Sequence, residues 1–439
     1  MSIGFTFKAK TRKIDALKES VKEMAEESGY GLALNENWLT VSFCTMGDLS
    51  MEWERESGLR GQWLITGNCC STPAGAGFHA AAIRFLDELG QKRLSELLVD
   101  DETEYYNHRD FERMKREHFY PWLNALKRHC AERGSGYSNF CLCWDMEQYQ
   151  PEEVPGTVIT PMGRFNIENM IKQTEKNGIS WLAERFFIWD NEEKDALYYR
   201  NTALNYLWEQ CCFVPSRRSS EDSVCNQMII DSLEQAAVLN PGLPLPVDAY
   251  REICSLADRA PSIKEDAPKM ESDYPVGFRK REVTHSFGTL RLTLPGRLKY
   301  EWETYGDGDG CNMWRDSASD SPVWRVSGFR LRSGNAEFPE ECSQNEPEEF
   351  EIPGGRARIG WIEYEEDGQT AFQAVCDVVS GPSQYLITAA YMHKEEKDGI
   401  YALMRKLKTV PDTPAVTNTE SYAQCRQRQM CIRDRSYAQ

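Results

Sequence analysis

Two proline-bearing stretches divide this chain into parts with different hydrophobic rhythms, and that division most constrains its fold. Pro151, Pro155 and Pro161 punctuate the first stretch; a charged run from Pro261 to Pro275 forms the second. Proline fixes φ and donates no amide, so regular structure tends to stop there. Before the first stretch, periods mix. Ile14, Leu17, Val21 and Met24 recur at helical spacing, and Trp38–Phe43, Leu49–Trp53 and Gln62–Thr66 read as strands. A Gly/Pro turn region, Gly67 to Gly77, leads into an apolar helix from Phe78 to Leu89. Phe111, Met114, His118, Trp122 and Ala125 mark a further helix that Pro121 is expected to kink, and Ser138–Asp145 reads as a closing strand.

The middle part reads as helical, with candidates at Asn166–Lys176, Ser180–Ile188, Asn191–Cys212, Glu221–Leu239 and Val247–Ala257. The last part alternates as strands do, at Leu290–Leu294, Val323–Ser327, Phe329–Leu331, Arg358–Tyr364, Phe372–Cys376 and Tyr385–Ala389. Asp307-Gly-Asp-Gly310 and Asp367-Gly368 are hairpin signals, and Ile400, Leu403, Met404 and Leu407 mark a final helix. The expected class is α+β. An α+β domain spans 1–150, an all-helical domain 155–260, a linker 261–276, and an antiparallel sheet with a C-terminal helix 277–410.

Charge narrows the function. The chain has 439 residues with 51 Lys+Arg against 69 Asp+Glu, a net charge of -18. The acidity is spread over all three parts. Nucleic acid and anionic membranes both require basic surface, which no part offers, so neither is an expected partner. A basic protein is the partner the charge favours. The start, Met1 to Lys8, lacks an export signal, and the longest uncharged run, Gly61 to Ile83, is interrupted by Asn68, Pro73, Gly75 and Gly77. Fifteen cysteines include the adjacent pairs Cys69-Cys70 and Cys211-Cys212, and an odd total cannot pair completely. Reduced thiols and a cytoplasmic location are expected.

Ser421-Tyr-Ala-Gln424 recurs as Ser436-Tyr-Ala-Gln439, and Cys425 to Arg435 between them resembles a translated sequencing adapter. Residues 411–439 are therefore read as a disordered or artefactual tail.

The order Leu290-Arg-Leu-Thr-Leu-Pro-Gly296, strands bearing Trp314 and Trp324, an Asp-Gly hairpin and a C-terminal helix resembles the PsbP-like α+β fold over about 130 residues, 277–408. That resemblance implies a binding platform rather than an enzyme.

Chemistry-bearing groups are sparse. Gly67-Asn-Cys-Cys-Ser-Thr-Pro-Ala-Gly-Ala-Gly77 joins a predicted strand to a predicted helix, where backbone amides can hold an anion. It lacks the Gly-Lys-Ser/Thr ending of a P-loop and does not fit G-x-G-x-x-G. Ser71, Thr72, Gly75, Gly77 and His79 are its candidate binding residues. Cys69 or Cys70 with His79 would be a thiol–base pair, without a supporting signature. Cys141 and Cys143, after His129 and Cys130, have the wrong gap for a closed zinc site. His118 and His129 would lie about 16 Å apart on one helix face, too far for one ion. His108 among Asp100, Asp101, Glu102 and Asp110 reads as a solvated acidic loop. Asp307-Gly-Asp-Gly310 fails as a calcium loop, because Cys311 and Ala318 stand where ligands are needed. Trp302, Trp314, Trp324 and Trp361 read as sheet core, with Trp314 and Trp324 as candidates for partner contact. Glu337 to Glu351 reads as an acidic solvated loop.

No Ser-His-Asp, H-E-x-x-H, C-x-x-C or kinase signature is present. No metal or cofactor is expected. The reading is a non-catalytic cytosolic bacterial protein-binding protein of immunity or adaptor type that uses acidic surfaces. The alternative is an enzyme or anion binder at the Gly67–Gly77 segment.

Overall fold

The computed structural model describes residues 2–55, 61–133, 140–141, 154–271, 276–304, 310–316, 318–339, 344–366 and 368–410. It mixes helices with largely antiparallel sheets, an α+β molecule. The chain opens with β1 (Gly4–Thr11), then α1 (Ile14–Ser28), β2 (Gly31–Leu34), β3 (Trp38–Cys44), β4 (Gly47–Arg55), β5 (Trp63–Cys70), α2 (Ala76–Arg93) and β6 (Ser95–Asp101). These strands form one sheet in the order β2-β3-β4-β5-β1-β6. Phe5, Phe7 and Ala9 of β1 point into the core while Thr6 and Lys8 face out, the period-two pattern of a one-sided sheet. Leu17, Val21 and Met24 of α1 and Phe78, Ile83, Leu86 and Leu89 of α2 cover the inner face. Each such side chain, fully buried, contributes roughly 1.5–3 kcal/mol. Gly67 pairs directly with Phe7, and a Cβ there would come 2.2 Å from the Phe7 ring, so this position must be glycine for the ring to lie across β5.

This corrects the reading of the first segment in three places. Strand β5 runs on to Cys70, so the turn before α2 is only Ser71–Gly75. Asp100 and Asp101, read as loop, end strand β6, and β1 was not anticipated. Charge disguised β6, which is the edge strand beside β1 and is solvated on one side.

Next come α3 (Tyr105–His108), α4 (Phe111–Met114), a π turn over Lys115–Phe119 and α5 (Tyr120–Arg133). The expected irregularity near Pro121 takes this form. Proline offers no amide to Glu117 and its ring crowds that carbonyl, and the preceding turn is wound wider: the Tyr120 amide donates to Lys115 O, five residues back. β7 (Phe140–Cys141) pairs parallel with β8 (Thr157–Thr160), which forms a hairpin with β9 (Gly163–Asn166). The rest of the expected Ser138–Asp145 strand lies outside the described residues, as do Cys143, Asp307, Asp367 and the 411–439 tail.

The middle segment is not helical throughout, since β8 and β9 precede its helices. These are α6 (Ile167–Asn177), α7 (Ile179–Phe186), α8 (Ala196–Asn205, continued by a π turn to Gln210), α9 (Ser220–Leu239) and α10 (Val247–Leu256). Asn166, Asp195 and Ser219 cap α6, α8 and α9 through side-chain oxygens. One apolar core runs from Ile3 through Phe186, Phe187 and Trp189 to Leu204, drawing on residues either side of the Pro151–Pro161 stretch. A second core joins Ala203, Leu207 and Cys211 to Ile229, Leu233, Tyr250 and Ile253.

The last segment holds β10 (Glu282–Phe287), β11 (Leu290–Pro295), β12 (Lys299–Thr304), β13 (Gly310–Asp316), β14 (Ser319–Arg330), β15 (Asn345–Ile352), β16 (Gly355–Glu366), β17 (Gln369–Ser380), β18 (Ser383–Tyr391), α11 (Glu396–Met404) and β19 (Lys408–Thr409). Seven strands form a sheet in the order β12-β13-β14-β18-β17-β16-β15, and β10-β11-β19 form a smaller one. Between them sits a third core of Leu290, Leu292, Trp314, Trp324, Ile359, Ile387, Ile400 and Met404. Glu346 to Glu351, expected as loop, lie in the edge strand β15.

Candidate functional site

The first sheet and α2 gather polar groups at one point. Strand β5 delivers Cys69, and Ser71 follows it directly. His79 sits in the first turn of α2, and β6 ends at Asp101 with Thr103 just beyond. β1 lies between β5 and β6, so its two antiparallel pairings bring residues thirty apart in sequence to one place. Ser71 Oγ is 2.9 Å from His79 Nδ1. His79 Nε2 is 3.2 Å from both Thr103 Oγ1 and Asp101 Oδ1. Asp101 accepts from the Thr103 amide and hydroxyl, each at 2.9 Å, and from the Tyr106 amide at 2.8 Å.

These contacts fix the protons. Thr103 gives its hydroxyl proton to Asp101, so Nε2 must carry the hydrogen it shares with Thr103 and Asp101. In the neutral ring, Nδ1 then accepts from Ser71. Cys69 Sγ lies 3.6 Å from Ser71 Oγ at the far end of the relay. Burial pushes the Cys69 thiol well up, against a weaker pull from Ser71. Burial also pushes the Asp101 carboxyl up, but His79 and the Tyr106 and Thr103 amides outweigh it and hold the group well below the ordinary carboxylate range.

Ser71, His79 and Asp101 stand in the order of a hydrolase nucleophile, base and acid, with the two ring nitrogens exchanged. Sequence reasoning named Ser71 and His79 but missed Asp101 and Thr103 as their partners, since no local motif links groups more than twenty residues apart. Ser71, Thr72 and His79 are 0% exposed, and Phe5, Tyr105 and Phe119 pack their ring edges around the imidazole at centroid distances of 5.4–6.2 Å. In this closed setting the relay ties β5, α2 and β6 together. Thr72 Oγ1 accepts the Ile3 amide at 2.7 Å and anchors the start of β1.

Gly75 and Gly77 belong to the same place. The Gly77 amide donates to Trp189 O at 2.9 Å, and the Trp189 amide donates to Ala74 O at 2.7 Å. A Cβ on Gly77 would come 2.1 Å from Asn191 O, and one on Gly75, whose φ is +107°, 2.6 Å from Trp189 O. Protein backbone therefore takes the position at the start of α2 that the sequence offered to an anion. Beside it, Lys115 Nζ meets Asp190 Oδ2 at 2.8 Å and Asn191 Oδ1 at 3.4 Å, all from the π turn and the 189–191 segment. Burial disfavours the Lys115 ammonium, but Asp190 outweighs that and holds it above the usual range.

Trp314 and Trp324 lie in the other core, not at this cluster. They face each other across β13 and β14, are 2% and 0% exposed, and so present no surface to a partner. Trp302 is half exposed. His108 is exposed beside Glu104 at 3.6 Å. Among the described residues no group of three His, Cys, Asp or Glu side chains is placed to hold a metal ion, and no helix is long and apolar enough to cross a membrane.

The acidic edge is strand β15. Among the described residues it pairs with β16 alone and ends the seven-stranded sheet. Glu346 meets Lys397 at 3.4 Å, and Glu348 meets Arg405 at 2.7 Å. Glu348, Glu349 and Glu351 are exposed. A bulge between Asn345 and Glu348 and the presence of Pro347 keep this edge from pairing indiscriminately.

No family model matches the sequence, and no curated protein matches it. Among solved structures, a crystal structure from Bacteroides thetaiotaomicron VPI-5482 at 1.50 Å resolution is similar over 28% of this chain and 46% of that one, with 12% identity and a TM-score of 0.23. The chain thus spans less than half of that neighbour's length.

Proposed function

We propose that this chain is a non-catalytic protein-binding protein of immunity or adaptor type, acting in a bacterial cytoplasm on a basic protein partner. The observation that carries this reading is the free edge strand β15, which displays Glu348, Glu349 and Glu351 on a chain of net charge -18. A sheet with one open, acidic edge suits a cationic partner, and long-range attraction would speed the encounter. The PsbP-like resemblance of the last segment agrees with a platform role. Cys44, Cys69, Cys211, Cys212, Cys225, Cys254 and Cys376 are free thiols, in keeping with a reducing compartment. The test is affinity capture at low and high salt with the full chain and with E348Q/E349Q/E351Q. A protein held by the parent at low salt, released at high salt and lost by the variant supports the reading. A retained set indifferent to both salt and variant overturns it.

The second reading places a catalytic or ligand site at Ser71–His79, favoured by the Ser71–His79–Asp101 alignment. It requires the cluster to open. A fluorophosphonate probe that labels Ser71, and no longer does so in His79→Gln, supports it; an unlabelled Ser71 in the native protein dismisses it.

A further inference from the structure

The two faces of strand β15 differ in how their charge is met. Pairing with β16 sets Glu348, Phe350 and Ile352 opposite Ile359, Ala357 and Gly355, on the face that carries α11 and the third core. Glu346 and Glu348 on that face are already held by Lys397 and Arg405 of α11. Phe350, the next residue there, is half-buried against the core. Glu349 and Glu351 point the other way, opposite Arg358 and Arg356. Both guanidiniums are engaged elsewhere. Arg358 donates to Asp377 Oδ2 at 3.1 Å and to the Pro339 carbonyl at 3.2 Å, and Arg356 and Arg358 lie 5.2 and 5.0 Å from the ring centre of Phe338. Neither Glu349 nor Glu351 forms an ion pair among the described residues, and both are exposed. The opposite edge of the same sheet differs: on β12, Glu301 and Glu303 meet Arg315 and Arg325 at 2.9 and 2.6 Å.

The backbone supplies a second, independent feature. The bulge and Pro347 break the first half of β15, but the register with β16 is regular from Glu348 to Ile352. In an antiparallel ladder, alternate residues turn both amide and carbonyl to the same side. This regular half therefore presents a short row of donors and acceptors on its far side, where no strand pairs among the described residues. A second copy of β15 is a poor occupant. In an antiparallel pairing centred on Phe350, Glu349 of each copy would face Glu351 of the other, and like charges directly opposite destabilise a sheet.

We infer that the partner completes this sheet with a strand in which basic and apolar residues alternate. The inference rests on the cationic-partner reading above and adds how the partner is held. Main-chain bonds run to Glu348–Ile352, Lys or Arg side chains stand opposite Glu349 and Glu351, and an apolar side chain between them stands opposite Phe350. Residues two apart share a face of a strand, so a contiguous block of basic residues does not satisfy both carboxylates and Phe350 together.

The test uses the full chain and a short dye-labelled peptide that alternates Lys and Val, read by fluorescence anisotropy at low salt. It is compared with a peptide of the same residues in blocks, and with two isomers N-methylated at every Lys or at every Val. One isomer loses the amides that face β15; the other loses those that face solvent. The block peptide and one isomer should bind about tenfold more weakly than the alternating peptide, and the other isomer within a factor of about three. E349Q/E351Q should retain the parent melting curve and lose a similar tenfold, again about two net polar contacts. If the block peptide and both isomers bind as tightly as the alternating one, and salt or E349Q/E351Q releases them all, the added strand is overturned while the cationic reading stands. If no peptide binds at low salt, both fall. Discrimination between the isomers that E349Q/E351Q leaves unchanged puts the strand on another edge and also overturns the proposal.

Discussion

Replacing Asp101 with Asn removes one charge and almost no volume, and so isolates the electrostatics of the buried relay. Four donors converge on this carboxylate: the Thr103 amide and hydroxyl, the Tyr106 amide and His79 Nε2. An Asn side chain accepts through one oxygen only, and its NH2 must face at least one of those donors. A hydrogen bond to a charged group contributes about 1.5–3 kcal/mol, and removing one partner of a buried pair costs about 3–5 kcal/mol. We expect a loss of about 3–4 kcal/mol at neutral pH, against a total stability of about 5–15 kcal/mol. For a cooperative unit of this size that lowers Tm by roughly 6–16 °C. The pH dependence follows from the direction of the Asp101 shift. Its folded pKa is depressed, so its contribution is complete above the unfolded value near ~3.9 and fades as pH falls toward the folded value. The gap between parent and D101N should therefore be flat from neutral pH down to about 4 and narrow below it. Urea unfolding followed by tryptophan fluorescence across that range measures both quantities. A variant within about 0.5 kcal/mol of the parent at neutral pH, the scatter of an ordinary surface change, would refute the reasoning.

Gly77→Ala should destabilise by about 3 kcal/mol or more, because its Cβ meets backbone at Asn191 O as well as the Trp189 ring; a melting curve unchanged from the parent would deny the close approach. Lys115→Met leaves Asp190 buried and uncompensated and should cost about 3–5 kcal/mol; adding Asp190→Leu should recover most of it, and a double variant as unstable as the single speaks against an isolated pair. Cys69 and Cys70 should resist iodoacetamide in the native state at neutral pH and react once urea unfolds the chain; rapid native alkylation of either, read by mass spectrometry, would contradict their enclosure.

Much of the architecture was legible in local pattern. Leu17, Val21 and Met24 recur as α1 requires, and the helices expected at Glu221–Leu239 and Val247–Ala257 are α9 and α10. The alternation from Arg358 to Ala389 maps onto β16, β17 and β18. What escaped was structure whose sequence serves two surroundings at once. β6 and β15 are edge strands, solvated along one side, so their Asp and Glu residues read as loop. The candidate cluster was half legible. Ser71 and His79 lie eight residues apart and were picked out together by their turn. Asp101 and Thr103 join them only through the pairing of β1 with both β5 and β6, which no nearby residue encodes. Gly75 and Gly77 were noticed as permissive glycines, but their neighbour, the 187–191 backbone, is more than a hundred residues away.

The shared core from Ile3 to Leu204 has a practical corollary for anyone dissecting this molecule. A fragment cut at Pro151 would strip the cover formed by Phe186, Phe187 and Trp189 from the start of α2 and present a raw greasy surface to water. Expressed alone, such a piece should aggregate or be digested, while one extended past α8 carries its own lid.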